Sequence, residues 1–425
     1  MRQKNYVKCY FFSLVILCYL QPGSFAQEKE WESNVIYSET QVPFYELPDP
    51  LVTCEGKRIT TVEEWEQIRR PQIMAMFAGT VYGRIPEPEQ EVKQEYKVLS
   101  MDENFMDGLC TRKILLIKFS NHRGEVEMRM AVYTPNNTDG PVPLLFQLSF
   151  AGIDNRNHDA SGLQQYGRLN CGVPLIYFLN KGFGFAYVYG GRIVEDRVRF
   201  GGKSIQRLYY KGNQSMPRAD EWGLISATAW QASRALDYLE TDEDVDASRV
   251  AILGHSRQGK CTLWAAAMDQ RFSMAFMHNS GCAGAALWRR TFGETMKYMF
   301  HFPHWLCENA RKYIGNEDDL PVDQHMLIAC LAPRPAYVIS GIDDMWADNM
   351  GEYLSTHYAT PVYELYGLKG QPDPERPEVN VPANDRDLAY VVRTEGHGYF
   401  QTDWDEIVRF MDFHFNKQKK NIDIP

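Results

Sequence analysis

A serine, an acid and a histidine stand in an order suited to nucleophilic attack on a carbonyl. Ser256 lies in Gly254-His255-Ser256-Arg257-Gln258-Gly259-Lys260, Asp344 in Gly341-Ile342-Asp343-Asp344-Met345-Trp346, and His397 in Glu395-Gly396-His397-Gly398. A serine hydroxyl attacks only when a base takes its proton, and the base needs a carboxylate to hold its tautomer and balance the cation it becomes. Arg257 and Lys260 follow the serine by one and four residues, close to the reacting centre. They suit an oxyanion and an anionic or polyhydroxylated acyl group. Asp343 and Asp348 stand near Asp344, and spacing alone leaves either as a helix cap or a solvated charge.

Such groups must be carried to one edge of a scaffold. Residues 250–253 form a short apolar run that fits a buried parallel strand, Gly254 breaks it, and a helix-compatible segment follows from Gly259. This predicts Ser256 on a tight strand-to-helix turn, the geometry of a nucleophile elbow. Residues 143–148, 184–189, 274–277, 335–340 and 388–393 read as further strands, and residues 222–239 and 404–415 as helices. Upstream, residues 114–119 and 126–130 predict antiparallel strands around a turn at 121–124. A capping box at Thr61-Val62-Glu63-Glu64 precedes Trp65, Ile68, Ile73 and Phe77, which keep roughly helical spacing despite Pro71. The alternation predicts an α/β-hydrolase fold, a three-layer sandwich with a mostly parallel central sheet and an antiparallel N-terminal start. Asp344 and His397 then each follow a strand, as that fold requires. Phe150-Ala151-Gly152 is a candidate oxyanion loop, and residues 190–220 form a long polar rim of the site.

Composition narrows the partners. The chain has 425 residues and a formal net charge of -10, which argues against nucleic acid and leaves no polybasic patch for a membrane surface. Arg2, Lys4 and Lys8 precede an apolar run at residues 10–20, and Ser24-Phe25-Ala26 follows, the pattern of a signal peptide cut after Ala26. The expected organisation is a signal peptide at residues 1–26, an extension at 27–95 packed on the catalytic domain, and an α/β-hydrolase domain at 96–425. The mature protein is expected in the periplasm or outside the cell, as a monomer. Cys54, Cys110, Cys171, Cys261, Cys282, Cys307 and Cys330 would remain, an odd scattered set that is no disulfide framework and holds no C-x-x-C pair for zinc.

The motif around Ser256 resembles the G-x-S-R-x-G-K signature of glucuronoyl esterases, whose fixed arginine and lysine make it more specific than a general elbow. Leu47-Pro48-Asp49-Pro50-Leu51, Val81-Tyr82-Gly83-Arg84, Ala235-Leu236-Asp237-Tyr238-Leu239, Ser280-Gly281-Cys282, Phe302-Pro303-His304-Trp305 and Met345-Trp346-Ala347-Asp348 extend the resemblance to bacterial members over essentially the whole mature chain. It implies an esterase, without metal or organic cofactor, that cleaves the ester between 4-O-methyl-glucuronic acid of xylan and an alcohol of lignin. By motif position Ser256 resembles the nucleophile, His397 the base and Arg257 the oxyanion-stabilising arginine. Lys260, Glu294 and Trp346 resemble the residues that hold the glucuronoyl sugar. Two departures stand out. Fungal relatives bond a cysteine before the serine to one after the base, where this chain has His255 and Gly398. Many members place the acid where this chain has Asn279, and an amide cannot balance an imidazolium, so Asp344 is the expected acid.

The sequence therefore points to a serine esterase acting on glucuronoxylan or lignin-carbohydrate ester fragments. The alternatives are an esterase for acetylxylan or feruloyl esters, and a weakly active glycan-binding relative that lost its acid.

Overall fold

Alternating side chains build a sheet that is apolar on both faces. In the computed structural model, which describes residues 35–153, 163–164, 168–169, 172–189, 193–197, 204–383 and 385–422, nine strands form one sheet. They are β1 (Lys93–Asn104), β2 (Cys110–Asn121), β3 (Gly124–Pro135), β4 (Val142–Ser149), β5 (Gly184–Tyr189), β6 (Val245–His255), β7 (Met274–His278), β8 (Ala336–Gly341) and β9 (Leu388–Arg393). Their spatial order is β1-β2-β3-β5-β4-β6-β7-β8-β9. Pairing is antiparallel from β1 to β5 and parallel from there to β9. The expected signal peptide and Cys171 lie outside the described residues.

Successive residues point to opposite faces, so Leu144, Phe146, Val250, Ile252, Val338 and Tyr390 enter one apolar cluster. Leu145, Ala251, Leu253, Tyr337, Ile339 and Val391 enter the other. The first face is covered by α1 (Arg70–Thr80), α2 (Leu224–Leu239), α3 (Arg257–Met268), α4 (Gln324–Ala329) and α5 (Asn349–Leu365). The second is covered chiefly by α6 (Gln401–Ile422), through Trp404, Ile407, Phe410, Met411 and Phe415. This is the three-layer α/β-hydrolase architecture with an antiparallel start.

Residues 37–425 form one unit, and Trp65, Ile73, Phe77 and Tyr82 share the apolar cluster of the sheet. The Thr61 hydroxyl accepts from Glu64 N at 3.2 Å, as the capping pattern requires. Pro71, which lacks an N–H, is tolerated because the turn at Trp65–Arg69 is π-helical and places the proline in the first turn of α1.

Strands β4, β6, β7, β8 and β9 all end at one edge, where Ser149, His255, His278, Gly341 and Arg393 are the last residues. Every candidate catalytic group hangs from that edge.

Candidate active site

The elbow is tightly bent. Ser256 has φ 57° and ψ -129°, a region disfavoured for any residue with a side chain. Its N–H donates to His278 O at 2.9 Å, and its carbonyl accepts from Gly259 N at 2.8 Å. A Cβ on Gly254 would lie 2.2 Å from Gln258 O, and one on Gly259 would lie 2.9 Å from Ser280 Cβ. These two glycines let α3 begin directly behind the serine, so the signature's spacing, with the second glycine three after the serine, is a packing requirement.

His397 is exposed, on the loop after β9, and its Nδ1 donates to Asp344 Oδ2 at 2.7 Å. The tautomer follows from the carboxylate, which leaves Nε2 with its lone pair. Burial alone would raise the Asp344 carboxyl, but the hydrogen bond and charge of His397, then the amide of Asn279, hold it below its ordinary value. Spacing allows Asp348 as a helix cap, and the structure bears this out. It caps α5 by accepting from Gly351 N at 2.9 Å and pairs with Arg290 at 2.9 Å.

Asn279, at the place where many relatives are expected to carry the acid, is built into the same unit. Its Nδ2 donates to Asp344 Oδ2 at 2.6 Å, and its Oδ1 accepts from Arg393 Nη2 at 3.1 Å. Arg393 also donates to the carbonyls of Gly396 at 2.9 Å and Gly398 at 2.6 Å, on both sides of His397. One buried arginine thus holds the loop that carries His397 and orients the amide that donates to Asp344.

Arg257 and Lys260, the two cations that follow Ser256, are both paired with acids. The Arg257 guanidinium pairs with Asp196 and lies against the rings of Phe150 at 5.2 Å and Trp305 at 5.0 Å. Asp196 accepts in turn from His304 Nε2 at 2.7 Å and Trp305 Nε1 at 2.9 Å. Burial disfavours its charge, yet His304, Arg257 and Trp305 together hold its pKa far below the usual carboxylate range. The rim at 190–220 therefore reaches the site through Asp196. The candidate oxyanion loop contributes Phe150, while its Ala151 N–H donates to Ser149 Oγ at 2.9 Å.

Lys260 is buried, and its ammonium donates to Ser280 O at 2.7 Å, Cys282 O at 2.6 Å and Glu294 Oε2 at 2.6 Å. An ammonium has three N–H groups, so all are engaged and the lysine acts by fixing Glu294. The Glu294 N–H donates to Trp346 O at 2.8 Å, and the Trp346 ring meets Tyr298 edge-on at 4.6 Å. Lys260, Glu294 and Trp346 therefore form one connected wall.

Sequence reasoning missed Glu352, a charged residue in the first turn of α5 that lies beneath the loop carrying Asn279. Its Oε1 accepts from Ser280 N at 2.7 Å, Gly281 N at 2.9 Å and Ser280 Oγ at 2.9 Å, and its Oε2 from Ser340 Oγ. Burial pushes its carboxyl up to about 7 against the pull of these donors. A group raised in the folded state contributes stability below its unfolded pKa and loses it as pH rises through the folded value, a swing of about 3 kcal/mol here. Glu352→Gln, neutral at every pH and still able to accept from the two backbone N–H groups, should melt above the wild type at pH ~8, and the gap should close near pH ~5. Thermal melts at the two pH values check this, and equal gaps at both would show that the carboxyl does not titrate as described.

The described residues hold no group of three His, Cys, Asp or Glu side chains placed to bind a metal ion, and none of the six described cysteines is paired.

Known proteins agree with this picture. The family described as glucuronyl esterase, fungi, matches residues 207–367. The chain is 36% identical over 415 residues to carbohydrate esterase MZ0003 of an unknown prokaryotic organism, across 92% of this chain and 94% of that one. The solved structure of a glucuronoyl esterase from Solibacter usitatus shares 35% identity and superposes with a TM-score of 0.80, covering 88% of this chain and 99% of the other. A promiscuous CE15 esterase from a marine bacterial metagenome shares 36% identity with a TM-score of 0.79, over 90% and 100% of the two chains. With this likeness running nearly end to end, the chain belongs to carbohydrate esterase family 15, the glucuronoyl esterases, and is a carboxylic ester hydrolase.

Proposed function

We propose that this protein hydrolyses esters between (4-O-methyl-)glucuronic acid of xylan and lignin alcohols through an acyl-enzyme on Ser256. The observation that carries the reading is the 2.7 Å bond from His397 to Asp344 at the strand edge that also bears the elbow serine. His397 Nε2 takes the proton of Ser256 as Oγ attacks the uronoyl carbonyl, and Asp344 balances the imidazolium. The Arg257 guanidinium, steadied by Asp196 and two aromatic rings, stabilises the oxyanion. His397 then gives its proton to the departing alcohol, and the same imidazole activates the water that frees the acid. Glu294, fixed by Lys260, accepts hydrogen bonds from sugar hydroxyls, and the indole of Trp346 packs on the pyranose ring. Because both cations are already paired with carboxylates, recognition rests on hydroxyls and ring shape more than on net attraction. The mature protein acts as a monomer, in the periplasm or outside the cell, once residues 1–26 are removed.

A second reading, an esterase of wider range, is favoured by the promiscuous relative. Alcohol release from methyl and benzyl glucuronate esters, compared with acetyl and feruloyl esters, separates the two. The proposed substrate should be preferred by about 100-fold in kcat/KM, since a wall built for sugar hydroxyls is left with unpaired polar groups by other acyl groups. Comparable turnover of all four esters would establish the wider reading.

A further inference from the structure

His255 and His278 end the adjacent parallel strands β6 and β7, where they are register partners, and their Nδ1 atoms lie 2.8 Å apart. Two imidazole nitrogens meet at that distance only when one carries a proton and the other a lone pair. His278 Nε2 lies 3.1 Å from Asp403 Oδ2, a contact out of line for a full hydrogen bond. Asp403 also accepts from Arg393 Nε at 2.6 Å and Phe400 N at 2.7 Å. A nitrogen facing a carboxylate keeps its proton, so His278 Nδ1 is the acceptor and His255 Nδ1–H donates to it. Burial holds both histidines below their ordinary values, so this pair is neutral.

The charged and titratable groups around His255 come from every neighbouring element: His278 from β7, Arg393 from β9, Asp403 from α6, and His397 and Tyr399 from the loop between. Its ring lies with its centroid 4.4 Å from that of His397, tilted by 45°, and 5.0 Å from that of Tyr399. Resting on the reading of His397 as the base, we propose that His255 is a positioning residue whose ring, pinned by its Nδ1 proton on His278, holds the His397 imidazole in line with Ser256. The ring cannot turn away without breaking that bond, and a neutral aromatic ring beside a forming imidazolium attracts it where a charged one would repel it. The residue before the nucleophile thus serves the base, by contact.

The test is a comparison of His255→Leu, His255→Phe and His397→Ala with the wild type, measured as kcat and KM across the neutral pH range. His255→Leu should lower kcat about tenfold with KM unchanged, because a misplaced base slows chemistry without weakening binding. The loss should appear in kcat and not in KM at every pH measured. His255→Phe keeps a ring but lacks the Nδ1–H that pins it, so its kcat should lie between those of the wild type and His255→Leu. If His255→Leu matches the wild type in kcat while His397→Ala is inactive, the positioning role is overturned and the base assignment stands. Activity retained in His397→Ala overturns that assignment itself. Should His255→Leu fail to fold, His255→Phe decides: wild-type kcat in that folded protein, which lacks the Nδ1–H, overturns the pinned-ring role.

Discussion

Ester turnover should fall by about 10⁴- to 10⁶-fold in Ser256→Ala, to whatever binding and the oxyanion site achieve without a nucleophile. Removal of one oxygen leaves the surroundings intact, because alanine at φ 57° suffers the same backbone strain as serine and the N–H to His278 remains. Melting temperature should therefore stay within a few degrees of the wild type, so that lost rate reads as lost chemistry. The reaction with a glucuronate ester, followed by alcohol release, checks the first expectation. Substantial turnover in a folded Ser256→Ala protein would mean that water or another side chain attacks the ester.

A loss of about 10⁴-fold is expected in Asp344→Asn, the size of effect seen when a triad carboxylate is made neutral. His397 Nδ1 and Asn279 Nδ2 both donate to the same Asp344 oxygen. An amide at 344 supplies no charge for the imidazolium and can offer His397 the wrong tautomer. Asn279 makes a sharper experiment available. It lies one hydrogen bond from Asp344, and its Oδ1 already meets Arg393 Nη2 at 3.1 Å. Asn279→Asp combined with Asp344→Asn moves the charge across a 2.6 Å contact to a place where an arginine awaits it. The double variant should regain roughly 10- to 100-fold of the lost rate. Full activity in Asp344→Asn alone would remove Asp344 from the mechanism.

The catalytic candidates were legible because their signals are local. An apolar run broken by Gly254 marks a strand passing into a helix, and a histidine between glycines after the last strand marks a loop. Asp344 could not be separated from Asp343 and Asp348 by spacing. Only in three dimensions does Asp348 cap α5 and pair with Arg290, leaving Asp344 to face His397. Asp196 lies 61 residues before Arg257 in a stretch without periodicity, so their pairing had no local trace. The contact of His255 with His278 depends on the register of β6 against β7, which neither strand encodes alone. Strand β6 itself begins earlier than its apolar core suggests, at Val245, because its first residues lie toward the edge where only Val245 is matched with β4 before the register shifts. Glu352 was invisible for a related reason: a glutamate in a helical first turn normally faces water, and this one is buried by loop residues more than 70 positions away.

Ser256, Asn279, Ala283, Thr291 and Asp348 all hold positive φ without being glycine, and all stand on the loops that shape the site. Each such residue costs on the order of 1 kcal/mol or more. Glycine at 256 should relax the elbow and, on the proposed mechanism, abolish turnover in the same step. Thermostability and catalysis are therefore opposed at these positions, and a sequence drifting free of selection for turnover would be expected to lose this strain first. Anyone hardening the protein for industrial use should leave these loops alone and look instead to surfaces far from the strand edge, such as the exposed apolar side chains Val98 and Met101 on β1.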